Sequence, residues 1–95
     1  MSNWSLDFTS EAKSDLNKFD KELQRRIIDK IDWLQANFDN IIPSALGEEW
    51  VGYFKLRVGD WRVIYKVDWA KNKIIIYLID HRGKIYKRRH SGNRK

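Results

Sequence analysis

Ninety-five residues, 42% hydrophobic and 14% aromatic, are enough for one small domain spanning 1–95 with a single core, and they exclude a disordered chain. The absence of cysteine excludes a disulfide framework, a thiol nucleophile and thiolate metal sites, no apolar run nears the roughly 18 residues of a membrane span, and the start MSNWSLDF does not read as a signal peptide, so a cytoplasmic location is expected. The net charge of +6 is unevenly placed: residues 1–49 carry six Lys/Arg against ten Asp/Glu and residues 50–95 carry thirteen against three, which suits the second half to a polyanion such as nucleic acid.

Trp4 to Phe8 alternates, with Trp4, Leu6 and Phe8 on one side, and this predicts a short half-buried strand. Thr9 or Ser10 can cap the helix that follows, with Glu11 in its first turn and Ala12, Leu16 and Phe19 at helical spacing. Asp20 can cap a second helix, along which Leu23, Ile27, Ile31, Leu34 and Phe38 form an apolar stripe. Both stripes are core contacts and carry no chemistry. Asp39 to Trp50, with Pro43 and Gly47, reads as a connector.

From Val51 the period becomes two. Phe54, Leu56 and Val58 alternate with Tyr53, Lys55 and Arg57, and Gly59-Asp60 has the composition of a tight hairpin turn. Trp61 to Val67 is the next strand, with Trp61, Val63, Tyr65 and Val67 on one side and Arg62, Ile64 and Lys66 on the other. After a turn at Ala70–Asn72, Lys73 to Ile79 is apolar nearly throughout, as in a central strand covered on both faces. A short segment around Tyr86 follows, with the look of an edge strand, then a basic tail from about 88 to 95 that is expected to be flexible. The order strand, helix, helix, three-stranded meander predicts an α+β fold. Two helices pack on one face of a mostly antiparallel sheet, and the other face stays partly open.

That open face should carry the function. Tyr53, Lys55 and Arg57 point away from the core, Arg62 follows the hairpin, and His81, Arg82 and Tyr86 come at the end of the last strand. Gathered together, these types suit work on an RNA phosphodiester. Arginines hold a phosphate and stabilise its growing charge, lysine, histidine or tyrosine moves protons, and exposed aromatics stack on bases. Each residue singly has a plainer explanation as a solvated strand face or an ordinary polar contact. Two histidines without an acidic partner set do not make a metal site, and no phosphate-cradling glycine loop or nucleophile elbow is present.

The segments YFKLRVGDWRVIY (Tyr53–Tyr65) and DHRGKIY (Asp80–Tyr86), with Leu46-Gly47 before them, resemble the RelE/ParE toxin superfamily, and its RelE branch more closely. The resemblance implies a small sheet with two helices packed on it and a toxin of a type II toxin–antitoxin system. It further implies an mRNA interferase, an endoribonuclease that cuts A-site mRNA on the 70S ribosome by 2′-hydroxyl attack, without metal or other cofactor. Lys55, Arg62, Arg82 and Tyr86 match catalytic positions of that branch, and His81 beside Arg82 is a candidate acid for the leaving 5′-oxygen. Tyr53, Arg57, Lys84, Lys87, Arg88 and Arg89 are the candidate RNA contacts. Tyr53 replaces a lysine of the best-known members, which leaves Lys55 alone on that part of the strand.

The partners implied are a cognate antitoxin, in an assembly such as a toxin–antitoxin heterotetramer, together with the ribosome and its mRNA, and no membrane. An acidic antitoxin would lie across the basic half and the helix pair. The alternatives are a ParE-like inhibitor of DNA gyrase acting through protein contacts, and a catalytically inert RNA-binding relative.

Overall fold

The computed structural model describes residues 3–88. In chain order the elements are β1 (Ser5–Phe8), α1 (Ser10–Asn17), α2 (Lys21–Asn37), β2 (Ser44–Ala45), β3 (Tyr53–Val58), β4 (Trp61–Asp68) and β5 (Lys73–His81). Short 3₁₀ turns cover Phe38–Asn40, Glu48–Trp50 and Ile85–Lys87. The helix starts follow their caps. Thr9 Oγ1 accepts the Ala12 amide at 3.0 Å, and Asp20 Oδ1 accepts the Leu23 amide at 2.9 Å.

The sheet order is β1-β5-β4-β3-β2. The three-stranded meander is antiparallel, as the sequence predicts, but β1 joins the outer edge of β5 in parallel, Ser5 opposite Lys73 through Phe8 opposite Ile76. The connector also supplies an edge strand that its proline and glycine conceal, with Ser44 opposite Lys55. The segment around Tyr86 is a 3₁₀ turn and not a strand.

Between β3 and β4, Gly59 takes φ +59° while Asp60 keeps a negative φ, the pattern of a type II′ turn. This turn fixes Val58 opposite Trp61 and Arg57 opposite Arg62.

One face of the sheet packs on the helices. Ile27, Ile31 and Leu34 of α2 are fully buried against Val63, Ile74 and Ile76, and Trp4, Phe38 and Tyr65 close the cluster. The other face is not open at its centre: Trp50, Tyr53, Ile64, Leu78 and Ile85 form a second buried cluster there, with Leu46 and Tyr77 against it. An irregularity in β5 makes this possible. Ile64 pairs with Leu78 and Tyr65 with Ile76, so Tyr77 is the extra residue of a β-bulge. Tyr77 and Leu78 both serve the second face, while Ile76 and Ile79 serve the first.

Beyond Ile76 the outer edge of β5 is taken over by α1. The Thr9 hydroxyl donates to the Tyr77 carbonyl at 2.8 Å, and Asp15 Oδ2 accepts the Ile79 amide at 2.9 Å.

Ile31→Ala should destabilise the fold by about 2–5 kcal/mol, because the site is fully buried between α2 and the sheet and cannot collapse. Ile42→Ala, at a side chain 93% exposed, should change stability by less than about 0.5 kcal/mol. Urea unfolding of both variants checks the contrast.

Candidate active site

The hairpin register decides which side chains meet. Arg57 and Arg62 lie directly opposite on the second face, and Arg62 is in turn opposite Asp80 of β5. Lys55 lies on the same face two pairs further from the turn, opposite Ile64. Like charges directly across a ladder are unfavourable, so two facing arginines mark a place where an anion would relieve the pair. A groove of about 400 Å³ runs along this edge of the sheet, lined by Lys55, Arg57 and Arg62 with Pro43, Ser44 and Trp33 beside them.

The turn also gathers arginine from β5's end. Arg62 Nη1 donates to the Gly59 carbonyl and to the Trp61 carbonyl, both at 2.9 Å. The Arg82 amide donates to the Asp60 carbonyl at 2.8 Å, and its side chain lies 3.8 Å from the Asp60 carboxylate while remaining largely exposed. Three expected site residues, Arg57, Arg62 and Arg82, therefore converge on one hairpin end. Tyr86 is half exposed, and its neighbour Ile85 is fully buried in the second cluster, which draws the Ile85–Lys87 turn back onto that face.

His81 does not join them. It pairs with Trp61, whose side chain belongs to the helix face, and the two rings meet edge-on with centroids 5.4 Å apart. Its Nδ1 accepts the Gly83 amide at 3.1 Å, which puts the proton of the neutral ring on Nε2. Period two, read through the end of β5, separates His81 from Arg62 and Lys55 across the sheet. The imidazole instead lines a helix-side cavity of about 530 Å³ with Lys18, Phe19, Trp61, Lys84 and Asp80.

Among the expected RNA contacts, Arg57, Lys84 and Lys87 are exposed. Tyr53 is only 8% exposed: its ring packs against Trp50 and Tyr77, and Lys66 Nζ lies 5.2 Å over it. It belongs to the second core cluster and does not offer a free stacking face. Arg88 is held by the carboxylates of Glu11, Asp15 and Asp80. Arg89 lies outside the described residues, as does nearly all of the tail expected to be flexible. The residues sequence reasoning passed over are Asp80, facing Arg62, and Asp15, buried on α1. Asp15 could have been found as a charge three residues after Ala12, on the apolar side of the helix.

The family model described as "ParE toxin of type II toxin-antitoxin system, parDE" matches residues 6–86. Toxin RelG of Mycobacterium tuberculosis is 26% identical over 85 residues, covering 90% of this chain and 98% of that protein. The toxin–antitoxin complex RelBE2 of M. tuberculosis contains a chain that superposes with a TM-score of 0.74 at 24% identity, covering 85% of this chain and 93% of that one. The chromosomal ParDE TA system from P. aeruginosa gives 0.68 at 18% identity, with 83% and 96% covered. At these identities the two solved structures speak for the fold.

Burial, then the hydrogen bond to Tyr77 and the charge of Tyr77, raise the Tyr53 phenol from its usual 10.0 to about 12. Burial raises Tyr65 likewise to about 12. Both groups hold their protons longer in the fold than in the unfolded chain. Their contribution is therefore complete below about pH 10 and is lost as the pH rises toward about 12. Urea midpoints should decline across that window, and Tyr53→Phe should flatten part of the decline. A level profile would mean that these phenols ionise freely in the fold.

Proposed function

The chain belongs to the ParE toxin family of type II toxin–antitoxin systems, within the RelE/ParE superfamily, and on that premise we propose that it is a metal-independent endoribonuclease cutting A-site mRNA on the ribosome in the cytoplasm, restrained by a cognate antitoxin. The observation that carries this reading is the convergence of Arg57, Arg62 and Arg82 on the hairpin end, with Lys55 two rungs further along the same face. Two facing arginines that make no ion pair among the described residues suit a scissile phosphate.

In the proposed reaction the RNA 2′-oxygen bonds to phosphorus and the bond to the 5′-oxygen breaks, leaving a 2′,3′-cyclic phosphate. Lys55, on the same strand face, favours departure of the 2′ proton. Arg57 and Arg62 hold the non-bridging oxygens, where charge builds in the transition state. Arg82, on the exposed side of the turn, stabilises the charge leaving with the 5′-oxygen, and Tyr86 orients the nucleotide. The position of His81 across the sheet supports leaving it outside the reacting set, contrary to the acid role that its neighbour Arg82 suggests in the sequence.

The family description supports a second reading, a ParE-like inhibitor of DNA gyrase acting through protein contacts. Primer extension on translated mRNA after brief induction separates the two. Discrete cuts within codons support the endonuclease, whereas loss of supercoiling with intact mRNA supports the gyrase reading.

On programmed ribosomes, Arg62→Ala and Arg82→Ala should each slow single-turnover cleavage by about 10²–10³ with the melting transition retained. His81→Ala should leave the pH dependence between about 5 and 8 unchanged, and a flattened profile would restore histidine as the acid.

A further inference from the structure

Three carboxylates, two from α1 and one from the end of β5, meet on one guanidinium. Arg88 Nη1 donates to Asp15 Oδ2 at 3.1 Å and to Asp80 Oδ2 at 3.0 Å, and Nη2 donates to Glu11 Oε2 at 3.2 Å. The Arg88 side chain is a quarter exposed and that of Asp15 is 6% exposed. Burial alone would lower the Arg88 pKa. The bond and attraction to Asp15, then the bonds to Asp80 and Glu11, outweigh it and raise the value. An arginine committed to these carboxylates has little left to offer a phosphate.

Its place in the chain gives the bonds a consequence. Arg88 directly follows the Ile85–Lys87 turn, and its own amide donates to the Ile85 carbonyl at 3.3 Å. A single 3₁₀ turn has poor hydrogen-bond geometry and little stability of its own. Here the turn is tied at both ends, by Ile85 in the second core cluster and by Arg88 on α1 and β5. Tyr86 lies between the two ties.

We propose that Arg88 is a positioning residue: held by Glu11, Asp15 and Asp80, it fixes the Ile85–Lys87 turn and with it the Tyr86 ring relative to the arginine groove, and it is not an RNA contact. The inference rests on the endonuclease reading of that groove.

The test uses the full chain with two measurements, hydrogen exchange at the Lys87 and Arg88 amides and steady-state cleavage of mRNA on programmed ribosomes. Arg88→Ala should speed exchange at the position-87 amide about tenfold and lower kcat on the order of 10–100-fold, with KM changed by less than about threefold. Arg88→Lys should recover part of both. Glu11→Gln, on the exposed side of the cluster and away from the groove, should shift exchange and kcat in the same direction by less, and it serves should Arg88→Ala fail to fold.

A raised KM with unchanged kcat and exchange, together with a shallower salt dependence, would make Arg88 an RNA contact and overturn the proposal. Should the wild-type chain cut no mRNA, the endonuclease reading fails by itself. The tie is then judged on exchange, and unchanged protection in both Arg88→Ala and Glu11→Gln overturns it.

Discussion

Asp15 brings a carboxylate between α1 and β5, and a buried charge without partners destabilises a small fold by several kcal/mol, about 3–5 where one partner of a buried pair is removed. The chain meets this requirement twice at one oxygen, with the Ile79 amide at 2.9 Å and Arg88 at 3.1 Å. The first bond seats α1 along the edge of β5 that β1 leaves after Ile76, and the Thr9 hydroxyl at the Tyr77 carbonyl fixes the other end of the same contact. The second bond brings the chain back from β5 to α1 at Arg88. One carboxylate therefore couples the first helix to the last strand and to the turn after it, at residues 64 and 73 positions away in sequence.

The bulge at Tyr77 divides the work of the two faces. Strict alternation along β5 would send Tyr77 and Leu78 to opposite sides and leave the second cluster without one of its members. With the bulge, Tyr77 packs at 5.0 Å on Tyr53 while Leu78 stays beside Ile64 and Ile85. The second face is thus apolar at its middle and basic towards the hairpin. A buried apolar cluster adjoins the stretch of sheet that carries Lys55, Arg57 and Arg62.

The amphipathic stripes, the caps at Thr9 and Asp20 and the Gly59-Asp60 turn were legible in the sequence because each depends on neighbours within a few residues. The pairing of Arg57 with Arg62 follows from that turn, and so does their shared face. Three features were not legible because tertiary partners create them. β1 adds in parallel to β5, which no local pattern encodes. Ser44–Ala45 becomes a strand only because the edge of β3 is available to it. Tyr53 reads as a polar-face residue by its period, yet Trp50, Ile64 and Ile85 arrive from three other segments to bury it. The place of His81 was not legible either, because it depends on the pairing with Trp61, whose side chain packs on the helix face.

Charge distribution follows the same division. Asp7 of β1 pairs with Lys73, and Glu11 and Asp15 of α1 hold Arg88 at the helix side, while Asp80 both faces Arg62 and bonds Arg88. That arrangement draws Asp80 away from neutralising the groove, since its Oδ2 is engaged by Arg88 at 3.0 Å and its Oδ1 by the His81 amide at 2.7 Å. Arg57 and Arg62 consequently face each other while Asp80, opposite Arg62, is engaged by Arg88 and the His81 amide. The carboxylates that hold Arg88 are thereby kept from the hairpin arginines, whose positive charge they leave in place.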